Sequence, residues 1–315
     1  MRHVRLVGLC LIAAFVVSAL AAATSSAALP EWGKCVKLPA EINGKVKTKG
    51  KYADANCTEK LAPATGEYEF LKGTSGLVGG AEFTNTATSA KVSLETSFGI
   101  SVNCTGQTAR GELSGTKEVS QVSVTFTGCE ASLGSFPCEN TFAEDEGEEG
   151  NFHYRKGEIV TFGLKGRLVY ISGAGTPDPS VGLQLEPEEK KGWFAFFGCG
   201  PGKAHPLPAI KSIVGRKTYG SNGGDKIVSP ITPLNAMTTE TTQKYEIKKV
   251  ENPETHELEN EPGIQEPSEI NGKPAHLESQ LFIEGGSGTG NWGNAAQEET
   301  AVTRLNSGEE LEIKA

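Results

Sequence analysis

The sequence predicts an all-β fold, mainly antiparallel, of sandwich or open-barrel type, with little helix. Three observations predict it. Apolar and polar residues alternate with a period of two through much of the chain, most cleanly in "VSVTFT", where Val122, Val124 and Phe126 interleave with Ser123, Thr125 and Thr127. Glycine and proline are abundant, 39 and 16 of 315 residues, which suits many short strands joined by turns. Long amphipathic helical patterns are missing, and "NAAQEETAVTRL" is the best helical candidate.

The N-terminus comes first. Arg2 and Arg5 precede an uncharged run from Leu6 to about Ala23, followed by the small residues of "TSSAAL". A basic start, an apolar middle and a small-residue end read as a secretory signal peptide over 1–28, cleaved near Ala27 or Ala28. The alternative is an uncleaved membrane anchor. With the signal removed, the chain is expected to be secreted or extracellular and not membrane-spanning. The formal charge is −9 over the whole chain, and removing Arg2 and Arg5 leaves it more acidic. Acidic surfaces repel phosphate backbones, so nucleic acid is excluded as a partner. The lysines of "KVKTKGK" at 45–51 read as a solvated strand or loop.

The remaining chain is divided into 29–200, a cysteine-containing β domain, and 201–315, a second β unit or an extension of the same sheets. Residues 29–65 look irregular. Strand patterns follow in "GEYEFL", in "AKVSLETSF" with Val92 and Leu94 on one face, in "GISVNCTGQTARGELSG" and in "KEVSQVSVTFTGC". "EIVTFGLKGRLVYIS" reads as two buried strands around the turn "GLKG". Trp193, Phe194, Phe196 and Phe197 are a core group beside Cys199. The segment from Asp225 is broken by Pro230 and Pro233. "HLESQLFIEGG" is a strand with Leu277, Leu281 and Ile283 on one face, and "EELEIKA" closes the chain with alternation.

Seven cysteines are present, and Cys10 lies in the signal. The other six, Cys35, Cys57, Cys104, Cys129, Cys138 and Cys199, form an even set in an exported chain and read as disulfides. Fifteen pairings are open to six cysteines. The shortest loops favour Cys35–Cys57 and Cys129–Cys138, which leaves Cys104–Cys199. Structural zinc prefers closely spaced C-x₂₋₄-C pairs and redox chemistry prefers C-x-x-C; neither spacing occurs.

No motif assigns an activity. "HELEN" at 256–260 lacks the second histidine of H-E-x-x-H. "GGSGTG" at 285–290 lacks the phosphate-loop lysine, and no G-x-S-x-G elbow occurs. The run Glu144–Glu149 holds five acids without the spacing of a calcium loop. The expectation is therefore no metal, no cofactor and no catalytic residue.

Taken in order, "EWGKCVKL", "GKYADANCTEK", "VNCTGQTARGEL", "VSVTFTGCE", "LKGRLVYIS", "VGLQLEP", "SPITPLNAMTT" and "EELEIKA" resemble an uncharacterised family of exported, cysteine-paired, β-rich bacterial proteins. The resemblance implies export, β structure and paired cysteines, and carries no catalytic residue over. The function expected is a secreted or envelope-associated structural or binding module, not an enzyme, with a cell-wall or extracellular polymer as partner. The alternative is a secreted hydrolase acting on polysaccharide or cell wall, with Trp32, Trp193 and Trp292 available as sugar platforms.

Overall fold

The structure is a computed structural model that describes residues 29–39, 41–42, 45–46, 49–90, 92–96, 100–140, 157–188, 192–200, 210–215, 225–234, 240–244, 246–251, 258–283 and 292–315. Residues 1–28, where a signal peptide is expected, the acidic run 144–149 and the glycine-rich 285–290 lie outside these residues. The fold is all-β. Among the described residues one 3₁₀ turn, Gly73–Gly76, is helical, and no helix is long and apolar enough to cross a membrane.

Two large ladders dominate, and both return on themselves. The first runs Glu118–Thr127, Leu164–Ser172, Ser180–Pro187, Ile227–Thr232, Glu240–Lys244, Thr300–Leu305, Glu82–Ala87 and Gly106–Leu113. The last of these pairs back onto Glu118–Thr127, from Gly106↔Thr127 to Leu113↔Val119, so the circuit is closed and antiparallel throughout. The short strand Glu158–Val160 flanks the end of Glu118–Thr127. Closure matters because an open edge presents unpaired N–H and C=O groups that template aggregation.

The second ladder runs Glu130–Ala131, Ser101–Cys104, Val92–Thr96, Trp292–Glu298, Leu277–Ile283, Ile210–Val214, Ala195–Cys199 and Cys138–Asn140. Its two end strands are the arms of one hairpin. The Ala131 N–H donates to Phe136 O at 2.8 Å, the Cys138 N–H donates to Cys129 O at 2.9 Å, and Glu130 bridges Pro137. This hairpin closes the second circuit. Strands from beyond residue 200 sit between earlier strands in both ladders: Trp292–Glu298 pairs with Val92–Thr96, and Thr300–Leu305 with Glu82–Ala87.

The chain steps directly from one ladder to the other at Thr105, at Gly128–Cys129 and at Glu299. The first two corners touch: the Thr105 N–H donates to Thr127 O at 2.9 Å. Gly128 is required there, because its φ is +62° and a Cβ would lie 2.2 Å from Thr105 Oγ1. One hydrophobic cluster fills the space between the ladders, including Val122, Leu164, Leu168 and Val181 from the first and Val92 and Leu277 from the second. Val122 and Val124 face this core as the alternation predicts, and Phe126 packs against it.

Some elements differ from the sequence reading. "NAAQEETAVTRL" is not helical: it belongs to the strands Trp292–Glu298 and Thr300–Leu305, in which Ala295, Ala296 and Ala301 are buried. Alanine's helix propensity is overridden by its position between neighbouring strands. "GLKG" is not a turn. Its Leu164 opens a strand whose partner is Ser180–Pro187, where Gly166 lets Gln184 O approach to 2.3 Å of a Cβ position. Strand Ile227–Thr232 runs through Pro230, which is placed opposite Gly182.

The N-terminal region is also more regular than expected. Glu31–Lys37 forms the middle of a three-stranded sheet between Glu312–Lys314 and Tyr68–Lys72. Two carboxylates hold this end together. Asp54 accepts hydrogen bonds from the N–H groups of Asn56, Thr58 and Glu59, with Glu59 at 2.7 Å. The Glu59 N–H, aided by the Thr58 and Asn56 groups, lowers its pKa to about 2. Glu309 pairs with Lys34 at 2.8 Å and accepts the N–H groups of Val78 and Gly79. The Lys34 hydrogen bond leads the causes that lower its pKa to about 2. Both folded values lie below the unfolded ones, so the stability they contribute is present above about pH 4.5 and is lost as pH falls toward 2. Glu309→Gln is expected to lower Tm by a few degrees at pH 7 and to leave it unchanged at pH 2, as followed by circular dichroism.

Candidate functional site: an enclosed interior cavity

The six predicted cysteines all form disulfides, and one of the three expected pairs is present. Cys35 is joined to Cys57, 22 residues on. The other bonds are Cys104–Cys129 and Cys138–Cys199. Cys129–Cys138 and Cys104–Cys199 are therefore incorrect. The reason is register. Cys138 lies directly opposite Cys199 in their antiparallel pair. Cys104 continues the register that sets Asn103 opposite Glu130, which places it opposite Cys129. The nearest partner across a ladder wins over the nearest partner along the chain. Cys129 and Cys138 still sit together, joined by a backbone hydrogen bond, at the two feet of the closing hairpin.

Between the ladders lies a cavity of about 80 Å³. Its walls are mostly apolar: Val92, Val102, Val124 and Leu183 contribute from several strands, and Phe194 and Phe197 from the aromatic group. Trp193 stands outside this lining. It is half-buried, with its ring centroid 6.5 Å from Phe162 and 6.2 Å from Phe196. Trp32 is buried in the core. Trp32 therefore offers no open platform for a sugar.

A few polar side chains interrupt the apolar wall. Asn85 and Gln107 take inward positions on neighbouring strands, on the same faces as Phe83 and Ala109. The Gln107 Nε2–H donates to Asn85 Oδ1 at 3.2 Å, and the Asn85 Nδ2–H donates to Thr303 Oγ1 at 2.8 Å. Thr161 is used structurally, its Oγ1 accepting the Val124 N–H at 2.9 Å. Glu299 stands at the corner where the chain passes between ladders. It is 4% exposed and is the single carboxylate among the described lining residues. Burial pushes its pKa up to about 8, against the opposing effect of its hydrogen bond with Gln297. At neutral pH it is a protonated acid.

Two oxygens in this lining have no protein partner, Gln107 Oε1 and Glu299 Oε2. A buried polar atom left in that state costs about 1–3 kcal/mol. The cavity thus combines an apolar body with two buried oxygens able to accept hydrogen bonds, and the protonated Glu299 can also donate one.

The sequence reading did not find this site. Its residues come from positions as far apart as 83 and 299, and no short motif contains them. Parity was the available signal: Asn85 and Gln107 occupy inward positions of strands whose other inward residues are apolar. Of the rejected motifs, "HELEN" lies partly in the strand Leu258–Glu266 instead of a helix. A groove lined by Glu266 and Glu269 also contains two carboxylates, but its described lining has no aromatic side chain.

No family model, no curated protein and no solved structure matches this chain.

Proposed function

We propose that the protein is an exported, non-catalytic binding module of the extracellular space or cell envelope, and that it encloses a small, largely apolar ligand with one hydrogen-bonding end. The observation that carries this reading is the cavity: apolar walls around the buried oxygens of Gln107 and Glu299. Its small volume suits a molecule of a few heavy atoms. Three disulfides support an oxidising compartment. Glycoside hydrolysis needs two facing carboxyl groups about 5–10 Å apart. The described cavity lining contributes one, which favours binding over the hydrolase alternative.

The test uses short n-alcohols and n-carboxylic acids of about four to six carbons as probes. Titration should shift the methyl NMR signals of Val92, Val124 and Leu183. Ala109→Phe, which fills the cavity, should abolish the shifts while preserving the fold. Incubation with cell-wall and polysaccharide fractions should release no product. Shifts that persist in Ala109→Phe, no shifts at all, or released sugars would overturn the proposal.

A further inference from the structure

A second cluster lies away from the cavity and does not depend on that reading. Asp225 lies two residues before the strand Ile227–Thr232 of the first ladder. His276 and Glu278 stand at the start of Leu277–Ile283 in the second. The backbone ties the two segments together. The Lys226 N–H donates to His276 O at 3.0 Å, and the Glu278 N–H donates to Asp225 Oδ2 at 3.1 Å. Leu277, between the two ligating residues, is buried in the core and anchors them.

We infer that Asp225, His276 and Glu278 form a binding site for a divalent transition ion of the zinc class, one that fastens the two ladders together. Their ligand atoms all lie within 4.8 Å of one another. His276 Nε2 and Asp225 Oδ1 are 3.4 Å apart. Two ligands of one tetrahedral zinc, each about 2.0–2.2 Å from the ion, are separated by about 3.4 Å. The Asp225 carboxylate is already oriented: Oδ2 accepts the Glu278 N–H at 3.1 Å, which leaves Oδ1 turned toward His276. A fixed ligand carboxylate of this kind is what supporting hydrogen bonds provide at metal sites.

Charge favours the same ion. Asp225 is 1% exposed and Glu278 is 8% exposed, so two acids share a low-dielectric site. A divalent cation brings its charge to both carboxylates at once. The imidazole selects against calcium and magnesium, which take oxygen ligands, and toward zinc, copper or nickel. No thiolate takes part, because the six cysteines outside the signal segment are all in disulfides. His276 is half-buried and gives the ion a route from solvent, with the fourth position open to water.

The experiment is equilibrium dialysis of the untagged, EDTA-treated protein, disulfides intact, against zinc chloride. One zinc per chain is expected. His276→Gln and Asp225→Asn should each weaken binding about 100-fold or more, since even supporting groups at metal sites are worth about 10–100-fold. Should Asp225→Asn fail to fold, His276→Gln at the more exposed member decides the matter. A variant with His153, His205 and His256 all changed to Gln should retain full affinity. No stoichiometric zinc in the wild type, zinc binding that survives His276→Gln, or binding lost in the triple variant would each overturn the assignment. So would a preference for calcium over zinc.

Discussion

Replacing Glu299 with Gln is expected to make the protein more stable at pH 8 while changing little at pH 5. The sign follows from burial. The folded pKa of Glu299 is about 8 and the ordinary value is 4.5. Between those values the folded state keeps a proton that the unfolded state releases. The stability contributed by the protonated form is complete below pH 4.5 and is lost as pH rises toward 8. That span corresponds to about 4–5 kcal/mol. Gln297 and the corner geometry are kept in Glu299→Gln, so the substitution removes the titration and preserves shape. Urea unfolding at pH 5, 6.5 and 8 measures the effect. Glu312, whose pKa is also raised by burial and opposed by Lys314, adds a smaller slope of the same sign. An unchanged pH slope in Glu299→Gln would show that Glu299 ionises normally in the folded protein.

Removal of Cys138–Cys199 by the double substitution Cys138→Ala and Cys199→Ala is expected to cost about 4 kcal/mol, from a separation of 61 residues in the loop-entropy relation. The corresponding Cys104→Ala and Cys129→Ala pair, with a separation of 25, should cost about 3.5 kcal/mol. Both bonds hold the feet of the hairpin that closes the second ladder. Their loss should therefore also loosen the cavity, which Cys104 helps to line. A fall in Tm on the order of 10 °C is expected for the first double variant, followed by calorimetry. A change of less than a degree would show that the bond is not formed or that the closure does not need it.

The fold class was legible because strands with one buried face repeat every second residue. Val122 and Val124 fall where that period puts them, and Leu311 and Ile313 are buried too, but the intervening Glu312 is buried with them, so the alternation does not hold at the C-terminal end. Pairing partners were not legible, because antiparallel register is set across the ladder. Cys104 finds Cys129, and Cys138 finds Cys199, through strand neighbours that no local spacing encodes. Pattern reading also failed where small residues fill the gap between crowded strands. Ala295, Ala296 and Ala301 look helical along the chain and are central to two ladders. The cavity escaped notice for a related reason. Gln107 and Asn85 look like the polar half of an alternating strand until their parity is compared with Ala109 and Phe83. Glu299, in "AAQEETA", looks like an exposed acid, and only its place at a chain corner buries it. Asp225, His276 and Glu278 needed the hydrogen bonds between two ladders to bring them together.

One hairpin, with arms Glu130–Ala131 and Cys138–Asn140, closes the second ladder and is locked at both feet, which encloses the interior. The most direct test is a non-reducing peptide map of the purified protein, with a thiol count on the variant Cys129→Ala, Cys138→Ala. The account predicts linked peptides Cys104–Cys129 and Cys138–Cys199, and two free thiols, Cys104 and Cys199, in the denatured variant. A Cys129–Cys138 linkage, with no free thiol in the variant, would contradict it.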